Sequence, residues 1–450
     1  MLPAIETIQT WTLKGGPVKR SSYSRAFVAR LAAALLVLIV TVAAVPNGKP
    51  EDVGVSSERL HRITQVVQQY IDGKQISGAI AVVARRGRIV HFEATGLMDI
   101  EKRAAMRKDA IFRMASMTKP ITGVAILMLV EEGKVRLTDP VSRFIPEFKD
   151  TKVAMEKPPA APTLASLAAR GEGSRAPDIY TVPANREITI RDLMTHTAGL
   201  VTSGPGAREA ARIAPRNPND TLAGHIPRLG AVPLDFQPGT MWRYSGLEGI
   251  DTLGRIVEIA SGLTFDQFLK QRLFDPLGMK DTAFYPADDK MPRVATLYAR
   301  TPEGLKPQET PAVLASKTLF SGGGGLWSTA EDYIQFAQML VNGGELNGRR
   351  YLSPRTIDLM AANHVGKLYG EAPPLGSRGM GFGLTVEVVG DPIESGRRTS
   401  AGSFGWDGAF GTHFWVDRKE QLTGLLMIQQ ALNFTLNRDF ENAVMQAIVE

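Results

Sequence analysis

The 450-residue chain contains no cysteine. It therefore has no disulfide bond, no thiol nucleophile, no cysteine-ligated metal and no site for lipoprotein acylation. A chain of this length buries enough apolar surface to fold on its core alone. With 44% hydrophobic and 22% charged residues, its composition is that of an ordinary globular protein.

Histidine is also scarce, with six in the whole chain. None shows the His-x-x-x-His or His-Glu-x-x-His spacing that sets two ligands on one helix face, so the sequence predicts no metal site. No Gly-x-Ser-x-Gly elbow accompanies His196, which favours a structural hydrogen-bonding role over membership of a Ser-His-Asp triad. The glycine run at 322–325 lacks a following Gly-Lys-Ser/Thr, which favours tight backbone packing over phosphate binding.

Basic residues are concentrated ahead of one apolar run near the start of the chain. Residues 31–45 form this run, LAAALLVLIVTVAAV, which is long for a signal-peptide core and short of the ~20 residues that span a bilayer. Residues 1–46 are therefore predicted to be a signal peptide cleaved after Ala44 or an uncleaved membrane anchor. Either one exports the rest of the chain, to the periplasm or beyond.

The same segment explains the basic character of the chain. Its five basic residues and one acid supply +4 of the formal net charge of +6. The basic residues are Lys14, Lys19, Arg20, Arg25 and Arg30, and the acid is Glu6. Little charge remains on the exported part, so the sequence predicts no nucleic-acid partner and no membrane contact other than an uncleaved leader.

After the leader, strand patterns occur at both ends of the chain and helix patterns between them. Helices are predicted at 57–71, 121–130, 188–195, 247–260, 265–273, 329–340 (with a capping box from Ser328) and 437–449. Strands are predicted at 80–93 (a hairpin turning at 86–87), 383–389, 411–416 and 422–428. The segment 157–177, rich in Pro, Ala and Gly, is predicted to be a mobile loop.

This order of elements predicts an α+β fold of the α/β sandwich type. Strands from about 55–137 and 371–449 form one antiparallel sheet flanked by helices. A mostly helical subdomain is inserted between them at about 138–370.

Ser116 and Lys119 lie three residues apart, just before an apolar stretch at 121–130. About one Ser-x-x-Lys is expected by chance in such a chain, so the spacing alone also fits a helix-capping serine beside a solvated lysine. If a helix begins at Ser116, the two side chains share one face, and the free N–H groups of the helix start lie beside the serine oxygen. A lysine amine activates a serine only when it is neutral, and burial favours that form.

Two further stretches give the pair a context: 236–248, FQPGTMWRYSGLE, and 403–416, SFGWDGAFGTHFWV. With Ser116-Met-Thr-Lys119 they resemble the three motifs of the serine β-lactamase and penicillin-binding-protein superfamily, in the branch of class C β-lactamases and family VIII carboxylesterases. The resemblance covers about residues 55–449. It implies Ser116 as nucleophile, Lys119 as its proton acceptor, Tyr244 as second member of the relay, and the backbone N–H groups of Ser116 and Ala409 as oxyanion hole.

Two departures from the family pattern bear on the substrate. The sequence 406–408, Trp-Asp-Gly, replaces the family's Lys-Thr-Gly, and a neutral ring cannot pair with a substrate carboxylate. Tyr-Ser-Gly at 244–246 replaces Tyr-x-Asn and loses an amide that holds a substrate amide. The resemblance to family VIII thus implies hydrolysis of small neutral, short-chain acyl esters without a cofactor. The expected substrate-binding residues are Trp406, Asp407, Gly408, Gly246 and His413, although Asp407 also fits a turn or strand edge.

Other functions stay open at this stage. A class C-like β-lactamase, a D-Ala-D-Ala peptidase and a transesterase use the same three residues. A non-catalytic penicillin-sensing domain keeps the fold without turnover.

Overall fold

The computed structural model describes residues 44–157, 178–217, 219–309 and 317–450. Most of the predicted leader and of the predicted loop at 157–177 therefore lies outside the described residues. None of the helices within these ranges is long and apolar enough to cross a membrane.

The strands of the described chain form one large sheet and several two-stranded ribbons. They are β1 (Gly78–Arg85), β2 (Arg88–Asp99), β3 (Ala104–Ala105), β4 (Ile111–Arg113), β5 (Lys152–Glu156), β6 (Ile179–Pro183), β7 (Tyr298–Thr301), β8 (Gly304–Pro307), β9 (Trp327–Thr329), β10 (Glu345–Leu346), β11 (Arg349–Arg350), β12 (Met380–Phe382), β13 (Glu387–Val389), β14 (Phe404–Asp407), β15 (His413–Asp417) and β16 (Leu422–Met427). The large sheet has the order β12-β13-β14-β15-β16-β1-β2-β3, with antiparallel neighbours. The predicted sheet of strands from both ends of the chain is confirmed.

Helices lie against this sheet and fill the middle of the chain. The α-helices are α1 (Ser57–Asp72), α2 (Thr118–Glu131), α3 (Ile190–Met194), α4 (Ala207–Ile213), α5 (Leu222–His225), α6 (Glu248–Ser261), α7 (Phe265–Leu269), α8 (Asp275–Leu277), α9 (Ala330–Val341), α10 (Pro354–Met360), α11 (Pro392–Ser395) and α12 (Phe434–Met445). One π-helical turn covers Lys270–Phe274. Short 3-10 helices cover Pro50–Val53, Ala115–Met117, Val141–Arg143, Pro146–Phe148, Ile226–Ala231 and Asp288–Arg293.

The central strand β1 separates two apolar cores. Ile80 and Val82 face the larger core, which contains the apolar side chains of α2, α6 and α9. Ala81 and Val83 point the other way, into a core shared with α1 and α12. Because strand side chains alternate between faces, a strand buried on both sides is apolar along its length, as β1 is from Gly78 to Ala84, before it ends in the buried Arg85. The result is a sheet between two helical layers.

Helix α2 carries the nucleophile candidate and is buried on all sides. Every residue from Thr118 to Leu129 is buried, as the all-apolar sequence predicts. The helix ends before Gly133, which takes a left-handed φ of +71° that suits glycine. This burial fixes the start of α2 against the rest of the core.

Two local predictions are wrong. The expected strand at 383–389 is a tight hairpin instead, because Thr385 adopts a left-handed φ of +67° and the chain turns between β12 and β13. The expected cap Ser328 lies in β9, where its hydroxyl meets that of Thr282 at 2.7 Å. The N-cap of α9 is Thr329, whose oxygen accepts from the Asp332 amide at 3.2 Å.

Candidate active site

Ser116 lies in the 3-10 turn that leads into α2, and it lines a pocket beside the end of β14. The residue before it, Ala115, has a left-handed φ of +44°. Such a conformation costs a non-glycine residue on the order of 1–3 kcal/mol and survives only where the surroundings impose it. Here the preceding Met114 amide is held by the Leu326 carbonyl at 2.9 Å, where β4 pairs with β9. The turn thus aims the Ser116 hydroxyl at the pocket.

Lys119 is one turn further along and has no solvent exposure. Its Nζ lies 2.5 Å from the Gly246 carbonyl oxygen, 2.6 Å from that of Gly323 and 3.3 Å from Ser116 Oγ. Three hydrogen-bond acceptors therefore surround Nζ. A neutral amine has two N–H groups and one lone pair. An amine that gave its two N–H groups to the carbonyls would direct its lone pair at the Ser116 proton, as a general base requires.

The carbonyl of Gly323 is itself held in place by a buried carboxylate. Asp251 on α6 accepts from the Gly323 amide at 2.9 Å and from the Ser321 hydroxyl at 2.7 Å. A Cβ at Gly323 would lie 2.7 Å from the Leu247 Cα, so this position admits only glycine. The predicted packing role of the glycine run is confirmed. Sequence reasoning missed Asp251, because a single acid in a helix carries no signal of its partner.

Tyr244 completes the cluster from the opposite side. Its hydroxyl donates to Ser116 Oγ at 2.6 Å, and its ring centroid lies 4.9 Å from Lys119 Nζ. The phenol is therefore placed to pass a proton between Ser116 and a group that leaves the site.

His196 supports the Tyr244 segment from behind. Its Nδ1 accepts from the Ser245 amide at 3.2 Å, and its ring lies 4.7 Å from the Tyr244 ring. Burial, aided by the nearby Lys119, holds the pKa of His196 well below its usual value, so the ring is neutral and acts as an acceptor. The predicted structural role of His196 is confirmed.

The backbone after β14 approaches the nucleophile very closely. The Thr412 hydroxyl donates to the Met114 carbonyl at 3.1 Å, and a Cβ at Gly408 would lie 2.4 Å from that same carbonyl oxygen. The next residue, Ala409, lines the Ser116 pocket, and its amide donates to no acceptor within the described residues. A free N–H beside the serine is what an acyl-transfer oxyanion requires, so the geometry fits the expected pairing of the Ser116 and Ala409 amides.

We expect Gly408→Ala to lower both stability and activity, because its methyl group would overlap the Met114 carbonyl and the Thr412 hydroxyl. Overpacking of this kind costs about 1–3 kcal/mol, and a displaced Ala409 amide lowers kcat by about 10²–10³. Urea unfolding and ester hydrolysis measure the two effects. The control is Gly402→Ala, where nothing lies near the new methyl group and only the left-handed φ of +86° destabilises the variant, a strain that is absent at Gly408. Equal kcat in the two variants would contradict the close-approach argument.

The pocket around Ser116 is small, with a volume of about 100 Å³, and most of its lining residues are aromatic or aliphatic. The Trp406 ring forms one wall, 5.6 Å from the Tyr244 ring and 5.3 Å from the Phe382 ring. None of its lining residues is a lysine or arginine, and two are acids. The lining residues are Ser116, Tyr244, Tyr369, Leu375, Glu387, Trp406, Asp407, Ala409, Leu432 and Phe434.

Behind this wall lies a buried cluster of charges. His413 Nδ1 is 2.5 Å from Asp407 Oδ1, and its Nε2 is 3.2 Å from Glu441 Oε1. Asn437 donates to Asp407 at 3.1 Å, and Arg397 pairs with Glu441. These ion pairs and hydrogen bonds connect β14, the strand that precedes Ala409, to helix α12.

Two of the expected substrate-binding residues therefore have other positions. His413 does not line the Ser116 pocket, because antiparallel register sets it opposite Asp407 and its ring is taken up by two carboxylates. Gly246 contributes its carbonyl to Lys119 and does not line the pocket either. Trp406 and Asp407 do line it, and Gly408 acts through its backbone. Sequence alone missed Glu387 and Tyr369 in the wall.

The charge on His413 predicts a loss of stability at alkaline pH. Burial disfavours this charge, but the Asp407 and Glu441 carboxylates outweigh burial and raise the pKa of His413 to about 9. Because the folded pKa lies above the usual 6.5, the stabilisation is complete below pH 6.5 and is lost as the pH rises through 9, by about 3 kcal/mol. Urea unfolding between pH 6 and 9.5 measures this decline. The His413→Gln variant should lack it, and an identical slope in both proteins would refute the assignment.

The fold and the Ser116 site together define a serine hydrolase. The chain belongs to the Beta-lactamase family, whose family model matches residues 63–445. Esterase EstB of Burkholderia gladioli is 31% identical over 396 residues, which cover 82% of this chain and 90% of EstB. Lovastatin esterase of Penicillium rubens is 29% identical over 405 residues, 81% of this chain and 92% of that enzyme.

Among solved structures, the chain is similar to EstCE1, described as a hydrolase with promiscuous acyltransferase activity. The TM-score is 0.71 at 27% sequence identity, and the match covers 86% of this chain and 99% of EstCE1.

Proposed function

We propose that the protein is a carboxylesterase that hydrolyses small, neutral, short-chain acyl esters through an acyl-serine at Ser116. The observation that carries this proposal is the charge of the pocket. It has Trp406 where the family's lysine would stand, two acids and no cation. A substrate with a carboxylate at this point would find no lysine or arginine in the pocket lining with which to pair, and the two acids are already paired, Asp407 with His413 and Glu387 with Arg397. A neutral ester needs no such partner, and about 100 Å³ accommodates a short acyl chain.

The reaction takes place in two steps. Ser116 Oγ attacks the ester carbonyl while Lys119 Nζ takes its proton. The new oxyanion accepts hydrogen bonds from the backbone N–H groups of Ser116 and Ala409. The bond from the acyl carbon to the alcohol oxygen then breaks, and Tyr244 passes the proton to that oxygen. In the second step water attacks the acyl carbon and gives a proton to the relay. The bond from the acyl carbon to Ser116 Oγ then breaks, the relay passes that proton to Oγ, and the carboxylic acid leaves.

The test compares ester and lactam turnover by the wild-type protein. We expect kcat/KM for p-nitrophenyl butyrate to exceed that for nitrocefin by at least about 10²-fold, because the lactam carboxylate finds no cation in the pocket. A higher kcat/KM for nitrocefin than for p-nitrophenyl butyrate would contradict the esterase proposal and indicate a β-lactamase. Release of D-alanine from a D-alanyl-D-alanine peptide, faster than ester hydrolysis, would point to a peptidase.

Two further alternatives are separated by simple additions to the same assay. If added alcohol captures the acyl group faster than water does, the protein is a transesterase, an activity that the description of EstCE1 mentions for that protein. If a fluorophosphonate labels Ser116 but no ester turns over, the domain is a sensor. Two relatives named as esterases, EstB and lovastatin esterase, support the hydrolytic reading. Export of the protein by its N-terminal segment also stays a proposal.

A further inference from the structure

A second and much larger cavity adjoins the Ser116 pocket. This outer cleft has a volume of about 550 Å³, against about 100 Å³ for the pocket. Most of its lining residues are apolar or aromatic, Tyr244 and Leu375 among them, and its polar lining includes Thr202, Thr240, Arg243 and Glu371. Tyr244 and Leu375 line both cavities, so the side chain of the proton relay borders the outer cleft as well as the Ser116 pocket.

The position of the relay decides which half of an ester each cavity takes. The carbonyl must lie between Ser116 and the Ala409 amide, and both of these line the small pocket but not the outer cleft. The leaving oxygen must lie near the Tyr244 hydroxyl, and Tyr244 also lines the outer cleft. The acyl group therefore occupies the small pocket, and the alcohol extends into the outer cleft.

The lining of the outer cleft contains two side chains of opposite charge, Arg243 and Glu371. Arg243 and Glu371 are both exposed, and neither forms an ion pair within the part of the chain that the structure describes. A guanidinium only donates hydrogen bonds and a carboxylate only accepts them. An alcohol with further hydroxyl groups satisfies both, because each hydroxyl donates and accepts. A carboxylated alcohol could pair with Arg243 but would leave Glu371 without a donor, and an aminated alcohol could pair with Glu371 but would leave Arg243 without an acceptor.

The threonines of the cleft add an acceptor. The Thr202 hydroxyl donates to Asp235 at 2.7 Å, and the Thr240 hydroxyl donates to the Gln237 carbonyl at 2.7 Å. Because its proton is engaged, the oxygen of the exposed Thr240 is left to accept from a ligand, whereas Thr202 is buried in the wall of the cleft. An apolar alcohol would cover these groups without replacing their hydrogen bonds to water.

We propose that the outer cleft binds the alcohol half of the substrate and that this alcohol is a bulky polyhydroxylated one, as in an acylated sugar. The inference rests on the proposed function, because it assigns the two halves of an ester to the two cavities. It adds a class of alcohol that the Ser116 pocket alone does not specify.

The test uses two acetates of the same shape. Methyl 6-O-acetyl-glucopyranoside and cyclohexylmethyl acetate both carry an acetyl-oxymethyl group on a six-membered ring, and they differ mainly in the ring hydroxyls. We expect the wild-type kcat/KM for the sugar acetate to be at least about tenfold higher, because a site built for hydroxyl groups rejects an analogue that lacks them. Equal rates, or faster hydrolysis of the cyclohexyl ester, would overturn the proposal and indicate an apolar alcohol.

Substitutions in the outer cleft test whether its side chains cause the preference for the sugar acetate. Arg243→Met and Glu371→Gln should each reduce the ratio of the two kcat/KM values by at least about threefold, and the double variant by about tenfold, mainly through KM of the sugar ester. The control Arg355→Met removes an arginine that is exposed and outside both cavities, and it should keep the wild-type ratio. A wild-type ratio in the double variant would show that Arg243 and Glu371 do not select the alcohol, and it would contradict the proposed role of the cleft.

Hydrolysis of p-nitrophenyl acetate separates the two proposals. If this ester is cleaved and the sugar ester shows no advantage, the alcohol assignment fails while the esterase stands. If none of the three acetates is cleaved, the esterase proposal fails and the alcohol assignment fails with it.

Discussion

Replacing Ser116 by alanine is expected to lower kcat for p-nitrophenyl butyrate by at least about 10⁴-fold. Removal of the nucleophile ends the acyl-enzyme route and leaves only the contribution of the oxyanion amides and of binding. The hydroxyl accepts from Tyr244 and lies beside Lys119 Nζ, so the variant keeps both partners in place but gives them no oxygen to activate. Stopped-flow or steady-state release of p-nitrophenol measures the loss.

The control for this variant is Ser377→Ala. Ser377 is exposed and outside the Ser116 pocket, so its loss should leave kcat within about twofold of wild type, as expected for a surface substitution. The urea midpoint of Ser116→Ala should also stay close to that of wild type. A Ser116→Ala variant that keeps most of its activity would mean that a different group attacks the ester.

Replacing Lys119 by methionine is expected to lower kcat by about 10³-fold and also to destabilise the fold. The loss of rate follows from removing the proton acceptor, which typically contributes 10²–10⁴-fold. The loss of stability follows because the carbonyls of Gly246 and Gly323 lose their buried donor, at about 1–3 kcal/mol each. Hydrolysis of p-nitrophenyl butyrate and urea unfolding, measured on the same preparation, report the two losses.

Two control variants distinguish the loss of kcat from the loss of stability. Lys149→Met removes an exposed lysine and should change neither quantity. The Asp251→Asn variant disturbs the loop that holds Gly323 but keeps the amine, so it should lose stability with a much smaller loss of kcat. If Lys119→Met and Asp251→Asn lose kcat equally, Lys119 acts as a structural donor and not as the base.

The sequence predicted the parts of this site that lie close together along the chain or follow a shared motif. Ser116 and Lys119 are one helical turn apart, so their encounter follows from helix geometry once α2 is assigned. The all-apolar segment after them predicted that α2 is buried. The place of Tyr244 came from the family motif and not from any local pattern, since nothing in its own sequence fixes a 2.6 Å contact with Ser116.

The supports of the site could not be predicted, because they depend on pairings between distant elements. Asp251 reaches the Gly323 amide only when α6 packs beside the glycine run. His413 was expected at the substrate pocket because it follows the Trp406 motif closely. Strand register instead turns it to Asp407 and Glu441, and a residue 28 positions further along supplies the second carboxylate. Position near a motif in sequence therefore did not imply position at the pocket.

The most direct test of the account is to trap the acyl-enzyme. The protein is mixed with excess p-nitrophenyl butyrate, quenched with acid during turnover, digested and examined by mass spectrometry. We predict one butyryl group on the peptide that contains Ser116, and none on the same peptide of Ser116→Ala. Turnover without any acylated peptide, or a butyryl group on a different residue, would contradict the proposed nucleophile and with it the mechanism.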